Sequence, residues 1–306
     1  MDATKKVLKS NTMKYASFTL VFLTLNYLMI SCDSSNSEPV SNGANLSIIQ
    51  VDEVAEDDYK IKYIFSEEFK EDDKEGLISW VDSVFSAAER TLGTYLFNID
   101  VYFYYNDAQN RAVSFGSTKR GEVEKLNLYV NPSANLDELL DDWIAPHEIS
   151  HLAIGAIGRD NKWFSEGFAT FLSRQINMEL GLITQAEFDS IYYHRIMDKK
   201  EAYINGETNF IEQSKLLFSN NKYGTVYYGS ASYFYIIDKK LFEEKGIRFK
   251  DVLVEYQKCC RGNDKNLLET ITAFDEIIGE NWFTELMKVY RQEPASIVFD
   301  MIKEYK

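Results

Sequence analysis

Histidine and cysteine are scarce in this chain, and acidic residues outnumber basic ones. It contains three histidines and three cysteines among 306 residues, and its formal net charge at pH 7 is −15. Such an acidic surface repels a phosphate backbone, which excludes nucleic acid as an expected partner. Cys259 and Cys260 are adjacent, and both lie far in sequence from Cys32. We therefore expect no cysteine-ligated metal site and interpret the adjacent pair as small buried residues on a helix.

The chain also lacks an uncharged apolar run long enough to span a bilayer. The longest run, residues 16–30, is short of the roughly 20 residues that a spanning helix needs. Basic residues precede it, and the sequence Leu-Met-Ile-Ser-Cys ends it at Cys32. This pattern resembles a bacterial lipoprotein signal, in which residues 1–31 are removed and Cys32 is lipidated. The alternatives are an ordinary signal peptide and an uncleaved anchor.

The lipoprotein resemblance implies a protein of the bacterial cell envelope, attached to a membrane through its N-terminal lipid. The resemblance does not distinguish the periplasmic side of that membrane from its surface side. Residues 32–45 are small, polar and rich in turn formers, so we expect a flexible tether there. The folded domain is then 46–306, divided into a sheet-and-helix part (46–160) and a helical part (161–306).

The apolar pattern predicts an α+β fold. Strands are indicated near residues 59–65, 98–105, 113–115 and 126–130, with a hairpin region at 116–121 and a helix over 75–92 that Gly93 closes. From residue 163 onward the pattern is almost wholly helical, apart from a long loop at 202–225. This order predicts a small N-terminal sheet with helices, followed by a mostly helical C-terminal half.

Two of the three histidines fall in one five-residue pattern, His147-Glu148-Ile149-Ser150-His151. Helical residues four positions apart lie about 40° apart, so both imidazoles can hold one divalent ion. Glu148 lies about 100° round the helix, where it can act on a water at that ion. We expect this helix over residues 137–158. Pro146 lies within it, so the helix either restarts near Pro146 or kinks there.

A second motif follows, Trp163-Phe164-Ser165-Glu166-Gly167-Phe168-Ala169. Together the two motifs resemble the gluzincin metallopeptidases, which implies a thermolysin-like zincin core and makes Glu166 the third metal ligand. Fourteen residues separate His151 from Glu166, fewer than in the large aminopeptidases of that group. The shorter connection is similar to that of the small "peptidase MA-like" domains.

A third match, Tyr227-Tyr228-Gly229-Ser230-Ala231, resembles the start of a family helix whose tyrosine stabilises the oxyanion. Placing Ser230 in the small-residue position assigns that role to Tyr227, whereas a shift of one residue assigns it to Tyr228. The remaining histidine, His194, is expected to be exposed on a helix.

The G-x-M-E-N stretch with which the aminopeptidases hold a free amino terminus has no counterpart here. Residues 126–130 (LNLYV) stand in its place. They are expected to form an edge strand that pairs with an extended peptide, as an endopeptidase requires.

The resemblance thus implies a zinc metallopeptidase that acts on peptides or proteins. His147, His151 and Glu166 would hold Zn²⁺, Glu148 would be the general base and Tyr227 the oxyanion donor. Two alternatives stay open: a non-catalytic zinc-binding lipoprotein of the same fold, and a hydrolase that acts on a glycosylated or non-peptide target.

Overall fold

The first part of the folded chain forms one mixed sheet. The computed structural model describes residues 46–51, 60–107, 111–206, 208–262 and 266–305. Its strands are β1 (Leu46–Val51), β2 (Ile61–Ser66), β3 (Ile99–Tyr105), β4 (Val113–Lys119) and β5 (Glu124–Val130), in the order β1-β2-β3-β5-β4. The three inner strands run parallel, and β1 and β4 pair antiparallel at the two edges. The signal segment (1–31) and the tether (32–45) lie outside the described residues.

Helices make up the rest of the described chain. The first, α1 (Glu71–Leu92), connects β2 to β3. After the sheet come α2 (Leu136–Asp141), α3 (Ile144–His151), a 3₁₀ turn at Arg159–Asn161, α4 (Lys162–Glu179), α5 (Gln185–Met197), α6 (Lys200–Ile204), α7 (Phe210–Ser219), α8 (Tyr223–Lys245), α9 (Phe249–Cys259), α10 (Leu267–Ile278), α11 (Trp282–Gln292) and α12 (Ala295–Lys303). The architecture is the predicted α+β arrangement, with a mostly helical C-terminal half. No described helix has both the length and the apolar character needed to cross a membrane.

The apolar residues of α1 recur at helical spacing and form part of the core between the sheet and the helices. The predicted face of α1 is buried as expected, at Leu77, Ile78, Val81, Val84, Phe85 and Ala88. Gly93 ends the helix in a left-handed backbone conformation (φ 92°), with its N–H bonded to Glu89 O at 2.9 Å. Side chains of β2 contact this helix, where the Tyr63 hydroxyl donates to Asp82 and the Lys74 ammonium lies over the Phe65 ring, and β4 packs against α3.

The strand order corrects the prediction for residues 126–130. They form β5, which lies inside the sheet between β3 and β4, so they are not an edge strand. The edge is β4, and Gly116, which the sequence places in a hairpin, lies within it. The local pattern of a strand shows its length and its buried side, but its neighbours depend on long-range pairing.

Three helix predictions also need correction. The helix predicted over 137–158 is two helices, because Asp142 is extended (ψ 133°) between α2 and α3, and α3 ends at His151, before the predicted stop at Gly155 or Gly158. The predicted loop at 202–225 contains α7, which begins at an Asn209 cap that accepts from Glu212 N. The last helical segment predicted from the sequence, near residues 280–291, is α11, and the structure adds α12 beyond it.

The cysteine interpretation is wrong as well. Cys259 ends α9 and is exposed, Cys260 is half-buried, and a disulfide joins the two. The apolar face of α9 ends before this pair, at Tyr256 and Gln257.

Candidate metal centre

The start of α3 explains how the chain accommodates Pro146. The helix restarts at Ile144, whose N–H donates to Asp142 Oδ1 at 2.7 Å. Pro146 is therefore in the first turn, where its missing N–H breaks no helical hydrogen bond. The first intrahelical bond near it runs from His147 N to Trp143 O, at 3.1 Å. Of the two alternatives left by the sequence, a restart and a kink, the structure has the restart.

Asp142 links this helix start to the edge strand. Burial raises its pKa from the ordinary value of 3.8 to about 6, although backbone hydrogen bonds from Ile144 and Val113 lower it. Relative to the unfolded chain, the folded protein thus favours the neutral form of the Asp142 carboxyl group. The contribution of Asp142 to stability is complete below about pH 4 and is lost as the pH rises through about 6.

His147, His151 and Glu166 come together at the junction of α3 and α4. One ligand atom from each lies within 4.8 Å of the others. His147 Nε2 is 3.2 Å and His151 Nε2 is 3.7 Å from the same oxygen, Glu166 Oε2. Both imidazoles therefore turn the same nitrogen towards the carboxylate, as a shared ion requires.

Burial and mutual attraction set the charge of this group. Burial alone would raise the pKa of Glu166, but hydrogen bonds from His147 and His151 outweigh it and hold that pKa well below its usual range. Burial would likewise lower the pKa of His151, but the hydrogen bond to Glu166 and its negative charge raise it. Glu166 is thus ionised at neutral pH, which is the form that binds a cation.

The two histidines differ at their other ring nitrogen. His151 Nδ1 lies 3.1 Å from Ser165 Oγ, one residue before Glu166 on α4. His147 Nδ1 is buried and has no hydrogen-bond partner among the described residues. A fixed partner at Nδ1 orients an imidazole for binding through Nε2, so Ser165 positions His151.

The C-terminal end of α3 is closed by side chains from distant parts of the chain. Arg120 donates to the carbonyls of His151 and Ile154, the latter at 2.8 Å. Arg261 Nε donates to Leu152 O at 3.2 Å. Glu124 pairs with both arginines, at 3.5 and 2.7 Å. Two cations at a helix C-terminus favour its dipole, and they satisfy carbonyls that the helix leaves without partners.

Glu148 lies against the edge strand. It is 6% exposed, and Thr118 Oγ1 on β4 donates to its Oε2 at 3.1 Å. The strand can approach this closely only because Gly116 has no side chain: a Cβ there would lie 2.5 Å from Ile144 Cγ2 and 2.8 Å from Glu148 Cγ. Thr118 and Gly116 thus hold the Glu148 carboxylate beside the histidines.

Gly167 allows a similarly close approach between α4 and α8. A Cβ at this position would lie 2.5 Å from the carbonyl carbon and 2.6 Å from the carbonyl oxygen of Ser230. These are backbone atoms of α8, so they cannot move aside without moving the helix. The close approach places Tyr227, three residues before Ser230, beside the histidines.

Replacing Gly167 with alanine should therefore destabilise the protein by about 1–3 kcal/mol, because the added methyl group overpacks two helices. Thermal or denaturant unfolding measures this change. Gly76, on the exposed side of α1, has no atom within 4 Å of a built Cβ. Gly76→Ala is the control, and it should stabilise by about 0.5–1 kcal/mol through helix propensity alone. Equal effects from both substitutions would contradict the close contact.

The two candidate tyrosines have different surroundings. Tyr227 lines the cleft, with its ring centroid 5.6 Å from that of His147. Tyr228 faces away from the histidines: the Arg195 guanidinium lies 5.6 Å from its ring centroid, and its hydroxyl interacts with Arg174.

A cleft of about 500 Å³ opens beside these groups. Its walls come from β4, the segment that joins α3 to α4, the first turns of α4 and the start of α8. They include Phe115, Gly116, Ser117, Thr118, Lys119, Arg120, Glu148, His151, Arg159, Lys162, Ser165, Glu166 and Tyr227.

The structure thus brings together His147, Glu148, His151, Glu166 and Tyr227, as the sequence predicts. Cys32 lies outside the described residues, and His194 is exposed on α5 and is not part of the cleft. Sequence reasoning missed Thr118, Gly116 and Arg120. The glycine within a strand pattern was the available signal, since it marks a close backbone approach.

Comparisons with known proteins show the fold. No protein-family model matches the chain, and no curated protein matches it. An aminopeptidase N family protein from Idiomarina loihiensis has a TM-score of 0.57 at 12% identity, covering 85% of this chain and 49% of that chain. An M1 zinc metallopeptidase from Deinococcus radiodurans gives 0.47 at 13% identity, with 81% and 51% covered. Aminopeptidase A from Legionella pneumophila, in complex with aspartic acid, gives 0.49 at 15% identity, with 81% and 28% covered.

This chain spans about half or less of the length of these proteins. At such low identity the similarity shows the fold alone. This conclusion rests on the comparison with the Idiomarina protein. The described residues therefore share the fold of the corresponding half of that aminopeptidase N family protein.

Proposed function

We propose that this chain is a zinc-dependent peptidase that cleaves internal peptide bonds and is anchored to the bacterial cell envelope by a lipid at Cys32. One observation carries the proposal. His147, His151 and Glu166 converge within 4.8 Å beside an open cleft, with the Glu148 carboxylate next to them.

The donor set fits zinc. Two imidazole nitrogens and one ionised carboxylate oxygen are the ligands of the thermolysin type of catalytic site, in which the fourth position stays open to substrate. Among the described residues the candidate metal-binding group consists of His147, His151 and Glu166, and no fourth His, Cys, Asp or Glu joins it to close the site. When bound, the ion would lower the pKa of a coordinated water and polarise the carbonyl of the scissile bond.

The protein's own groups then move the proton. Glu148 accepts it from the attacking water as general base and delivers it to the leaving amine as general acid. Thr118 holds one oxygen of that carboxylate at 3.1 Å, which leaves the other oxygen for the water. Because β4 and α3 enclose Glu148, its position changes little between the two transfers.

Tyr227 is the proposed donor to the developing oxyanion. Tyr227→Phe removes the hydroxyl and should lower kcat about a hundredfold, the usual loss for one such donor. Tyr228→Phe is the matched control and should leave kcat within about twofold, because its hydroxyl interacts with Arg174 instead of facing the cleft. Steady-state kinetics of both variants measures the difference. A large loss in the Tyr228 variant alone would reverse the assignment.

The edge strand supports internal cleavage. β4 leaves one side of its backbone without a partner strand in the described sheet, and it lines the cleft. An extended peptide can pair with such an edge along its whole length. The strand reads Val-Ser-Phe-Gly-Ser-Thr-Lys and contains no carboxylate that would hold a free amino terminus.

The test is a proteomic cleavage-site screen with the purified full chain. New peptide ends should appear, mainly within substrate proteins, with zinc present. They should disappear with a chelator and return when zinc is restored. Cleavage that releases only single amino-terminal residues would contradict the internal specificity, and no metal-dependent cleavage would contradict the peptidase proposal. Labelling of Cys32 by a fatty-acid probe, lost in Cys32→Ala, tests the anchor.

A further inference from the structure

The charge along the walls of the cleft is opposite in sign to the net charge of the chain. Acidic residues outnumber basic ones overall, 48 to 33. Along the cleft, however, four cationic residues occur, and the only carboxylates among its described lining residues are Glu148 and Glu166. Both of those belong to the proposed catalytic machinery. The remaining surface of the cleft therefore presents positive charge to a substrate.

Two of the four cations are engaged by the protein itself. Arg120 donates to α3 carbonyls and pairs with Glu124, and Lys119 also has a partner. Arg159 and Lys162 have no carboxylate partner among the described residues. Both cations also line an adjacent hollow, and Asp160, between them in sequence, lines that hollow but not the cleft.

Lys162 lies where the cleft meets the adjacent hollow, and its ammonium group contacts an aromatic ring of that hollow. Its Nζ lies 4.7 Å from the ring centroid of Phe218 on α7. This contact fixes the position of the ammonium group without neutralising its charge. Arg159, in the 3₁₀ turn just before α4, is exposed beside it.

Helix α4 sets the distance between Lys162 and the proposed metal ligand Glu166. Lys162 and Glu166 are four residues apart on the same helix face, so their Cα atoms are separated by about 6 Å along the axis. An extended peptide covers that distance in about two residues. A group that binds at Lys162 therefore belongs to a residue close to the cleaved bond.

We propose that Arg159 and Lys162 bind a carboxylate of the substrate, so that the enzyme prefers peptides with an acidic group within about two residues of the cleaved bond. This inference rests on the proposed peptidase function and names its substrate class. The carboxylate has two sources, an Asp or Glu side chain and the free carboxyl terminus of a short peptide. We expect the side chain, because β4 can pair with a chain that continues past the site.

The experiment compares kcat/KM for one fluorogenic peptide in three matched forms. The first has Glu near the cleaved bond and an amidated C-terminus, the second has Gln at that place, and the third has Gln with a free C-terminal carboxylate. The enzymes are wild type, the double variant Arg159→Gln/Lys162→Gln, and Lys303→Gln as a control. Lys303 lies on α12 and pairs with Asp300. Binding of the same peptides to zinc-loaded Glu148→Gln protein is measured in parallel by fluorescence anisotropy.

Wild type and the Lys303 variant should prefer Glu over Gln about tenfold, and the double variant should lose that preference to within about twofold. The preference should also weaken between about 0.02 and 0.5 M salt, as a charge pair in a solvated cleft does. Preference for the third form alone would assign the site to a free C-terminus. Equal cleavage and equal binding of all three forms would overturn the inference while leaving the peptidase intact. If no form is cleaved, the proposed function fails, and the anisotropy still decides whether the cleft selects a carboxylate.

Discussion

Glu148→Gln should lower kcat for peptide hydrolysis by about 10³–10⁴-fold while leaving zinc bound in a one-to-one ratio. The amide has nearly the same shape as the carboxylate, so packing against Gly116 and β4 is retained. Its oxygen can still accept the hydrogen bond from Thr118. What is lost is the ability to take a proton from water and return it to the leaving amine.

Peptide kinetics combined with metal analysis of the purified variant measures both parts of this result. Glu255→Gln is the matched control, since Glu255 is an exposed residue of α9 whose ion pair with Lys258 contributes little. The control should cleave at the wild-type rate. If the Glu148 variant cleaves as fast as wild type, Glu148 is not the base and the mechanism is wrong. If it loses zinc as well as activity, its role is in metal binding.

Glu166→Ala should weaken zinc binding by about a thousandfold. Zinc sites with a full ligand set contribute roughly 10–16 kcal/mol, so one ligand accounts for about 3–4 kcal/mol of that total. The carboxylate also supplies the negative charge between the two imidazoles, at 3.2 and 3.7 Å from their Nε2 atoms. Alanine leaves two neutral imidazoles on a helix, which form a much weaker site.

Competition with a chromophoric chelator measures the zinc dissociation constant directly. His194→Ala is the control for adventitious binding, because His194 is the exposed histidine on α5. That variant should bind zinc as wild type does. Wild-type zinc affinity in the Glu166 variant would show that the ion binds elsewhere and would remove the basis of the proposed function.

Local spacing was sufficient to predict that His147 and His151 come together. His147 and His151 are four residues apart on α3, and a helix alone places their side chains on one face. Glu166 was predicted from the resemblance of the second motif to that of the gluzincin metallopeptidases. The same reasoning predicted Tyr227 as a member of the site, with Tyr228 as the alternative.

The strand and the helix end that border the site are determined by long-range contacts, which no local sequence pattern shows. Residues 126–130 look like an edge strand in isolation, but β4 pairs on their outer side and takes that place. The end of α3 is likewise set by Arg261, more than a hundred residues away in sequence. Such contacts form only when distant segments meet, so the local sequence pattern predicts an end for this helix that lies too far along the chain.

The closed end of α3 has a consequence for how the protein folds. Four groups satisfy its last carbonyls: Tyr95 after α1, Arg120 between β4 and β5, and Gln257 and Arg261 at the end of α9. Bringing these segments together requires closing long loops, whose entropic cost must be met before the contacts form. Helix α3 therefore gains its final order late, after α9 has docked against α1. While the chain is being synthesised, His147 and His151 would thus lack this support until α9 has been made and has folded.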